Sequence, residues 1–170
     1  PGDQKYYYDQ MGRLTAIKGR GQCSTEIHYQ EAHMSQVVTA SGYVIDFIYE
    51  EDRLVEVREE SGRTIQYKYE NDYLTAVCHV DEGITTYQYE ENHHISQVID
   101  QNGHAYVRNE YDEKGRVAAQ YYLDGSKSTI RYDPKKRENI VFIEALGRTE
   151  RYQYNEQCLI THSFFDDGTI

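Results

Sequence analysis

Eight tyrosines recur along this chain at an almost constant interval. The steps between consecutive members are 21, 20, 20, 20, 22, 21 and 22 residues. The members, which we call the repeat tyrosines, are Tyr8, Tyr29, Tyr49, Tyr69, Tyr89, Tyr111, Tyr132 and Tyr154. A period of this size is the signature of a repeat architecture, in which each unit buries its apolar face only against its neighbours. The sequence therefore predicts a single repeat array over residues 1–170, a slice of a larger repeat domain.

Copy four shows most clearly why each copy is expected to contain two strands. Ile65, Tyr67 and Tyr69 alternate with polar residues, which is the pattern of a half-buried strand. Asn71 and Asp72 follow, and both residue types form tight turns through local hydrogen bonds and tolerance of positive φ. The first strand is therefore predicted to end at a tight turn.

The second strand of each copy carries two aliphatic residues three positions apart. In copy four these are Leu74 and Val77, and Gly83 marks the turn that follows. A spacing of three is out of phase with strict alternation. Two explanations remain: a β-bulge shifts the register, or the first aliphatic residue packs under the turn.

The other copies repeat these positions with some departures. The first and second aliphatic residues are Leu14/Ile17, Met34/Val37, Leu54/Val57, Leu74/Val77, Ile95/Val98 and Ile140/Ile143, while Val117 is followed by Gln120 and Leu159 by His162. The glycines that mark turns are Gly12, Gly21, Gly42, Gly62, Gly83, Gly103, Gly115, Gly125, Gly147 and Gly168. We regard these positions as architectural.

A helical interpretation fails, because each copy contains a Gly and many β-branched or aromatic residues. The fold class is predicted to be all-β: about eight copies of 20–22 residues, each an antiparallel hairpin, giving about sixteen short strands in a curved or spiralling open sheet. The two end strands of such a sheet tend to pair between molecules, so edge-to-edge self-association is expected.

The charge balance narrows the range of partners. The formal net charge is −11, so a phosphate backbone or an anionic membrane surface is a disfavoured partner. The mean hydropathy of −0.85 would permit disorder, but 18 Tyr and only two Pro favour an ordered β protein with a thin, tyrosine-rich core. There is neither an apolar stretch of transmembrane length nor a signal peptide, so any export signal is expected outside this segment.

The residues that could carry chemistry favour no enzyme. Cys23, Cys78 and Cys158 are irregularly placed and are interpreted as unrelated thiols, although an oxidising compartment would allow one disulfide. His93 and His94 point to opposite faces if extended and cannot easily share a metal, even with His79 or His104, so we interpret them as a solvated turn. No catalytic, cofactor-binding or metal site is predicted.

Two kinds of charged group are interpreted as solvated surface. The acidic pairs Glu50-Glu51, Glu59-Glu60, Glu90-Glu91 and Asp166-Asp167 lack the cleft and burial that glycoside hydrolysis needs, and they keep a large sheet soluble. Lys135-Lys136-Arg137 is the only basic cluster, and an anion contact is its alternative role.

The repeat resembles the YD repeat of RHS proteins, whose unit is similar to Y-x-Y-D-x-x-G-R-L-x-x-I/V followed by Gly. The segments that carry the resemblance are 6–17, 109–117 and 145–155. The copies at Tyr29, Tyr89 and Tyr132 lack the Gly-Arg pair. The resemblance covers essentially all 170 residues.

The resemblance implies a β-sheet strip that spirals into a hollow shell. Such repeats occur in bacterial RHS polymorphic toxins, wall-associated proteins, insecticidal toxin complexes and animal teneurins, and in the toxins the shell encloses a C-terminal effector. The shell usually ends in a self-cleaving element with an Asp-Pro-x-Gly-like motif. Here Asp133-Pro134 is followed by Lys135-Lys136-Arg137, so autoproteolysis is not carried over.

The function expected is that of a non-catalytic scaffold, either the wall of a container for a toxin or a surface stalk. The expected location is secreted or on the surface of a bacterial cell, and the expected partner is the rest of the parent polypeptide. The alternative is a carbohydrate-binding adhesin, because tyrosine rows can stack sugar rings and Tyr121 to Ser126 locally resembles choline-binding and clostridial-toxin repeats. Those repeats rely on Trp, which this chain lacks.

Overall fold

The computed structural model describes residues 4–19 and 24–166. The chain divides into two compact units, residues 1–84 and 85–170. The described part consists of sixteen β-strands and one short 3₁₀ turn. Within this part, no helix is long and apolar enough to cross a membrane.

The strands of the first unit are β1 Lys5–Tyr8, β2 Leu14–Lys18, β3 Ser24–Gln30, β4 His33–Val38, β5 Val44–Glu50, β6 Arg53–Glu59, β7 Thr64–Glu70 and β8 Tyr73–Cys78. The strands that make up the second unit are β9 Ile84–Tyr89, β10 Ile95–Ile99, β11 Ala105–Tyr111, β12 Val117–Tyr122, β13 Lys127–Asp133, β14 Glu138–Ile143, β15 Arg148–Tyr154 and β16 Ile160–Phe165. The 3₁₀ turn spans Glu144–Leu146.

Within each unit every strand pairs antiparallel with the next strand in the chain, and among the described residues the first strand of a unit does not pair with the last strand of that unit. Each repeat tyrosine lies on the first strand of a hairpin, and the aliphatic residues lie on the second. The predicted all-β fold of tandem antiparallel hairpins in an open sheet is confirmed.

A β-bulge explains the aliphatic spacing of three. Tyr69 lies opposite Leu74 while Lys68 lies opposite Ala76, so Thr75 is an extra residue on the second strand. The bulge returns Leu74 and Val77 to the same face, because Val77 then lies opposite Tyr67. The same shift occurs in six other hairpins, at Tyr8, Tyr29, Tyr49, Tyr89, Tyr111 and Tyr154. Of the two explanations left open by the sequence, the bulge is the one observed.

The length of the first turn explains why the repeat interval varies. In copies two, three and four, the residue opposite the repeat tyrosine follows it by five positions, as Leu54 follows Tyr49. These are the copies followed by an interval of 20 residues. In copies one, five, six and eight the separation is six, as between Tyr111 and Val117. The shorter turns need positive φ at both central residues in copies three and four, at Glu51, Asp52, Asn71 and Asp72.

The longer turns share one hydrogen-bonded form. In the turn from Asp9 to Arg13, the amide of Asp9 donates to the carbonyl of Arg13, and the amide of Gly12 donates to the carbonyl of Asp9. The fourth residue is left-handed, as in Gly12 and Gly115. The turns between copies, such as Glu59 to Arg63 with Gly62 in fourth position, have the same form. Gly83 departs from the prediction, because the left-handed residue of its turn is Glu82, with φ 65°, and Gly83 follows it.

Copies seven and eight differ from the predicted aliphatic positions. Tyr132 lies opposite Asn139 with no bulge, because the extra residues of copy seven lengthen its first turn instead. The residue that lies on the same face of the sheet as Tyr132 and Ile143 is therefore Val141 and not Ile140. In copy eight, Ile160 rather than Leu159 lies opposite Tyr154.

The core is thin, as the composition predicted. Among the described residues, the buried hydrophobic side chains are Ile27, Val77 and Ala119, and most others on the strands are half-buried. A layer of strands with so little full burial gains its stability from many partial contacts between neighbours.

The short turn of copy three yields a stability prediction. Glu51 has φ 46° and is exposed, and Asn tolerates this left-handed conformation better than Glu. We expect Glu51→Asn to raise the free energy of unfolding by about 0.5–1 kcal/mol, the size of a turn-matching substitution. Chemical denaturation measures the change. Glu91→Asn, at an exposed turn residue without positive φ, is the control, and an equal gain there would contradict the explanation.

Candidate functional site at the joints between copies

At four joints, where the second strand of one copy pairs with the first strand of the next, the hydroxyl of a repeat tyrosine donates a hydrogen bond to a backbone carbonyl of the preceding copy. The pairs are Tyr29 to Leu14 at 2.9 Å, Tyr69 to Leu54 at 3.0 Å, Tyr111 to Ile95 at 2.6 Å and Tyr132 to Val117 at 2.9 Å. Each acceptor belongs to the residue opposite the preceding repeat tyrosine. The hydroxyl therefore links two copies at equivalent positions.

The repeat tyrosines from Tyr29 onward are half-buried, whereas Tyr8 is 61% exposed. Burial raises the pKa of Tyr132, so its hydroxyl stays protonated and remains a donor over a wider pH range. Burial likewise raises the pKa of Tyr89. The side chains that pack against a neighbouring copy instead of lining an open groove are those of Tyr29, Tyr49, Tyr69, Tyr111 and Tyr132.

A flat side chain of the preceding copy covers the ring of the next repeat tyrosine. Three arginines place the guanidinium carbon Cζ over a ring centroid: Arg13 over Tyr29 at 4.5 Å, Arg53 over Tyr69 at 5.8 Å and Arg116 over Tyr132 at 4.0 Å. Two histidines stack instead, His33 on Tyr49 at 4.6 Å and His94 on Tyr111 at 4.5 Å between centroids. Each of these residues immediately precedes the one that lies opposite its own repeat tyrosine, and we call this the capping position.

The capping side chain also reaches the first turn of the next copy. The Nη1 atom of Arg13 donates to the carbonyl of Glu31 at 2.6 Å, and His33 Nε2 lies 2.9 Å from Asp52 Oδ1. Arg53 forms an ion pair with Asp72. A planar cation or imidazole suits this position because one face covers the ring while the edge donates hydrogen bonds.

An aspartate holds the capping arginine in the copies that keep the Tyr-Asp and Gly-Arg pairs. The Oδ1 atom of Asp112 accepts from the amides of Lys114 and Arg116 at 2.9 and 3.0 Å, and its Oδ2 accepts from Arg116 Nη2 at 2.7 Å. The side-chain hydrogen bond from Arg116, with its backbone bond next, lowers the pKa of Asp112 to about 2. Asp9 and Arg13 repeat the arrangement, and the pKa of Asp9 is also lowered.

His94 corrects the interpretation of His93-His94 as a solvated turn. His93 is exposed with φ 69°, in agreement with that interpretation. His94, however, is half-buried against the ring of Tyr111 and occupies a capping position. A Cβ atom on Gly115 would lie 2.7 Å from His94 Cε1, so this capping residue packs directly on the turn of copy six. The aromatic contact was missed because the two histidines were considered only as metal ligands.

The other candidate residues lie apart from one another. His104 Nδ1 lies 3.5 Å from Asp100, and His79 is exposed at a turn. In residues 4–19 and 24–166, no group of three or more His, Cys, Asp or Glu is arranged to hold a metal ion. Glu59, a member of one acidic pair, forms an ion pair with Arg63 across its turn, with 2.5 Å between Oε2 and Nη2. Asp167 lies outside the described residues.

The basic cluster is exposed and partly paired with acids. Arg137 Nη2 lies 2.8 Å from Glu156 in the next copy, and Lys136 Nζ lies 4.0 Å from Asp133. Cys78 is a half-buried free thiol and Cys158 an exposed one, while Cys23 lies outside the described residues.

Gln120 and His162 break the second aliphatic position. Gln120 lies opposite Asn109, and its Nε2 donates to Asn109 Oδ1 at 2.9 Å, so the polar side chain in copy six has a polar partner. His162 lies opposite Gln153. Elsewhere in copy eight, Glu150 is buried and accepts hydrogen bonds from Arg148 and Tyr152, and the bond with Tyr152 raises the pKa of Tyr152.

Comparisons with known proteins return similarity in structure alone. No family model matches this chain, and no curated protein matches it. The Photorhabdus luminescens Tc holotoxin pore with a mutation in TccC3 is similar, with 11% identity and a TM-score of 0.47. TcdB2-TccC3-TEV and TcdB2-TccC3-Cdc42 each give 11% identity and a TM-score of 0.49.

Each of these three matches covers 96% of this chain and 12% of the other. The chain therefore spans a small part of the length of these Tc toxin chains.

The contact between His94 and Gly115 predicts unequal effects of one substitution at two matched glycines. Gly12 and Gly115 occupy the same turn position, with φ 80° and 73°, but Gly12 has open space around it. Both Gly→Ala changes carry the penalty for positive φ, and Gly115→Ala must also displace His94. We expect Gly115→Ala to lower the free energy of unfolding by about 1–3 kcal/mol more than Gly12→Ala does, which is the size of an overpacking defect. Denaturant titration measures both, and equal losses would contradict the contact.

The lowered pKa of Asp112 predicts a dependence of stability on pH. Because the folded pKa lies below the ordinary value of 3.8, the unfolded state binds more protons between about pH 4 and pH 2. The contribution of the Asp112 carboxylate to the free energy of unfolding is fully present above about pH 4 and is lost as the pH falls through about 2. Asp112→Asn should therefore flatten the acid limb of a plot of stability against pH, while Glu113→Gln, in the same turn and exposed, should not. Identical acid limbs for Asp112→Asn and the unaltered chain would contradict this.

Proposed function

We propose that this chain is a non-catalytic structural scaffold, a segment of an RHS/YD-repeat wall that encloses or presents a toxin or effector. One observation carries the proposal: the repeat tyrosines use both the hydroxyl and a ring face to contact the neighbouring copy. A side chain engaged in this way supports the array and is withdrawn from a ligand.

The Asp-Arg pair of the repeat motif has the same purpose. Asp112 positions Arg116, and Arg116 covers Tyr132 in the next copy at 4.0 Å. The residues that define the YD unit in sequence are thus the residues that join one copy to the next. Support for the scaffold proposal comes from this match between motif and joint.

The carbohydrate-binding alternative needs tyrosines that offer open ring faces in a row. At the segment that locally resembles choline-binding repeats, Arg108 covers the ring of Tyr121 at 4.0 Å, and Tyr121 donates to Glu110. The hydroxyl of Tyr122 donates to Gln120 at 2.9 Å and lies 3.3 Å from Ser128 Oγ. These contacts favour the scaffold over a sugar platform.

The proposal extends to organisation, partners and location. The repeat period continues without a break across residues 84 and 85, which supports one array over residues 1–170. Further repeats and a C-terminal toxin of the parent polypeptide are the proposed partners, and an exported bacterial protein is the proposed source. The resemblance to the YD repeat supports these extensions, and the similar Tc toxin structures agree with them.

Removing one hydroxyl tests whether the tyrosines are scaffold. Tyr69→Phe keeps the ring but loses the bond to the carbonyl of Leu54, so we expect a loss of about 1 kcal/mol of unfolding free energy, typical of one hydrogen bond. Tyr8→Phe, at the exposed repeat tyrosine, is the matched control and should change stability little. The unaltered chain should also bind no sugar on a glycan array. Specific glycan binding that Tyr69→Phe weakens without a loss of stability would overturn the scaffold proposal.

A further inference from the structure

A cleft of about 560 Å³ opens within the first unit, on the face of the sheet that carries the repeat tyrosines. Its floor is formed by Ile45 on β5, Val57 on β6 and Ile65 on β7, which are neighbouring strands. Ile45 and Ile65 each precede a repeat tyrosine by four positions, and alternate residues of a strand share a face. Tyr43 and Val80 form the walls, and they belong to turns between copies. A cleft of this size with mainly apolar walls is typical of a small-molecule site.

The two wall residues are not required by the repeat. Five turns between copies share one hydrogen-bonded form, so their residues can be compared position by position. The residues equivalent to Tyr43 are Arg63, Gly83, His104 and Ser126, and those equivalent to Val80 are Ala40, Glu60, Gln101 and Leu123. Most of them are polar or small, and yet each turn forms. Tyr43 is 59% exposed and Val80 is 49% exposed, so both present apolar surface to solvent that the fold does not demand.

The charges around the cleft are mainly negative. Its polar lining consists of Thr39, Glu59 and Arg63, and the last two form an ion pair at 2.5 Å. The turns that carry Glu59 and Val80 add exposed acidic residues, which are Glu60, Asp81 and Glu82. Arg63 offers little to an anion, because Glu59 already accepts from its Nε and lies against its Nη2. On a chain with a net charge of −11, these surroundings attract a cation and repel an anion.

Tyr43 has an open ring beside one of these acids. At five joints the ring of a repeat tyrosine is covered by an arginine or a histidine of the preceding copy. Within the described part of the chain, no cationic side chain covers the ring of Tyr43 in this way. Ile45 lies opposite Glu59 and Tyr43 is two residues before Ile45, so the ring and the carboxylate border the same part of the cleft. The open ring is thus a place for a cation supplied from outside.

We propose that the cleft binds an amphipathic organic cation, a primary amine with an aliphatic body. The body lies on Ile45, Val57 and Ile65 between the two walls, and the ammonium group lies over the ring of Tyr43 within reach of Glu59. Apolar burial supplies most of the affinity, and the ring and the carboxylate select the charge. The site uses no repeat tyrosine and no capping residue, so it is independent of the scaffold proposal.

Isothermal titration calorimetry with four small ligands separates the contributions of body and charge. Decylammonium, used below its micelle concentration, carries both, decanol carries the body alone, decanoate carries the opposite charge and methylammonium carries the positive charge alone. We expect one decylammonium to bind per chain. Decanol should bind about five- to tenfold more weakly, the size of a cation–π contact with a partly screened ion pair, and decanoate more weakly still. Methylammonium should give no measurable heat of binding.

Two substitutions test the placement of the ammonium group. Tyr43→Leu keeps an apolar wall but removes the ring, and Glu59→Gln removes the charge. Each should weaken the binding of decylammonium about three- to tenfold and change that of decanol by less than about twofold, which also shows that the cleft is intact. Tyr106→Leu, at a tyrosine of the second unit that is 38% exposed, is the matched control and should change neither affinity. Circular dichroism checks that each variant is folded.

Any of three results would overturn the proposal. Decylammonium could fail to bind below its micelle concentration. Decanol or decanoate could bind as tightly as decylammonium, which would show that the cleft does not select a cation. Tyr43→Leu and Glu59→Gln could both bind decylammonium as the unaltered chain does, which would place the amine elsewhere on the acidic surface.

Discussion

The hydrogen bond from a repeat tyrosine to the carbonyl of the preceding copy is the interaction on which the array depends. A sheet whose side chains are mostly half-buried has little apolar area removed from water per residue, so each hairpin is unstable alone. The tyrosine compensates by combining a large ring with a hydroxyl that reaches the neighbouring backbone. The bond from Tyr69 to Leu54 and that from Tyr132 to Val117 have nearly the same length, so the device repeats with the copies.

The capping residue extends this device and links it to the sequence motif. Arg116 is held by Asp112 of its own copy and covers Tyr132 of the next, so one side chain transmits the geometry of a turn to the following joint. Where His replaces Arg, as at His33, the side chain still stacks on the ring and still reaches an acidic residue in the next turn. What the three arginines and two histidines share is a planar side chain with a donor at its edge.

The period of the tyrosines and the alternation around Tyr67 and Tyr69 predicted the hairpins, because they report which residues share a face. The site was predicted less completely. The sequence marked the Gly-Arg pair as part of a motif, but the ring that Arg116 covers lies sixteen positions later, beyond the reach of local patterns. His94 was interpreted only as a turn residue or a metal ligand, because the ring on which it stacks, Tyr111, also lies far along the chain. The predicted first aliphatic position of copy seven, Ile140, was also wrong. A longer turn replaces the bulge there, and the hydrophobic pattern of the sequence looks the same in both cases.

The departures within the chain show which positions depend on each other. Gln120 breaks the second aliphatic position, yet Asn109, directly opposite, has changed to a polar residue as well, and the two side chains bond at 2.9 Å. The regular copy places Val77 opposite Tyr67 at the same site. A single polar residue there would leave an amide facing apolar neighbours, which costs about 1–3 kcal/mol. Because the two changes occur together, the copy keeps its register, and the joint to Tyr132 keeps its hydroxyl bond at 2.9 Å. The constraint thus acts on opposed pairs, which is why one copy can diverge in composition and still join its neighbours.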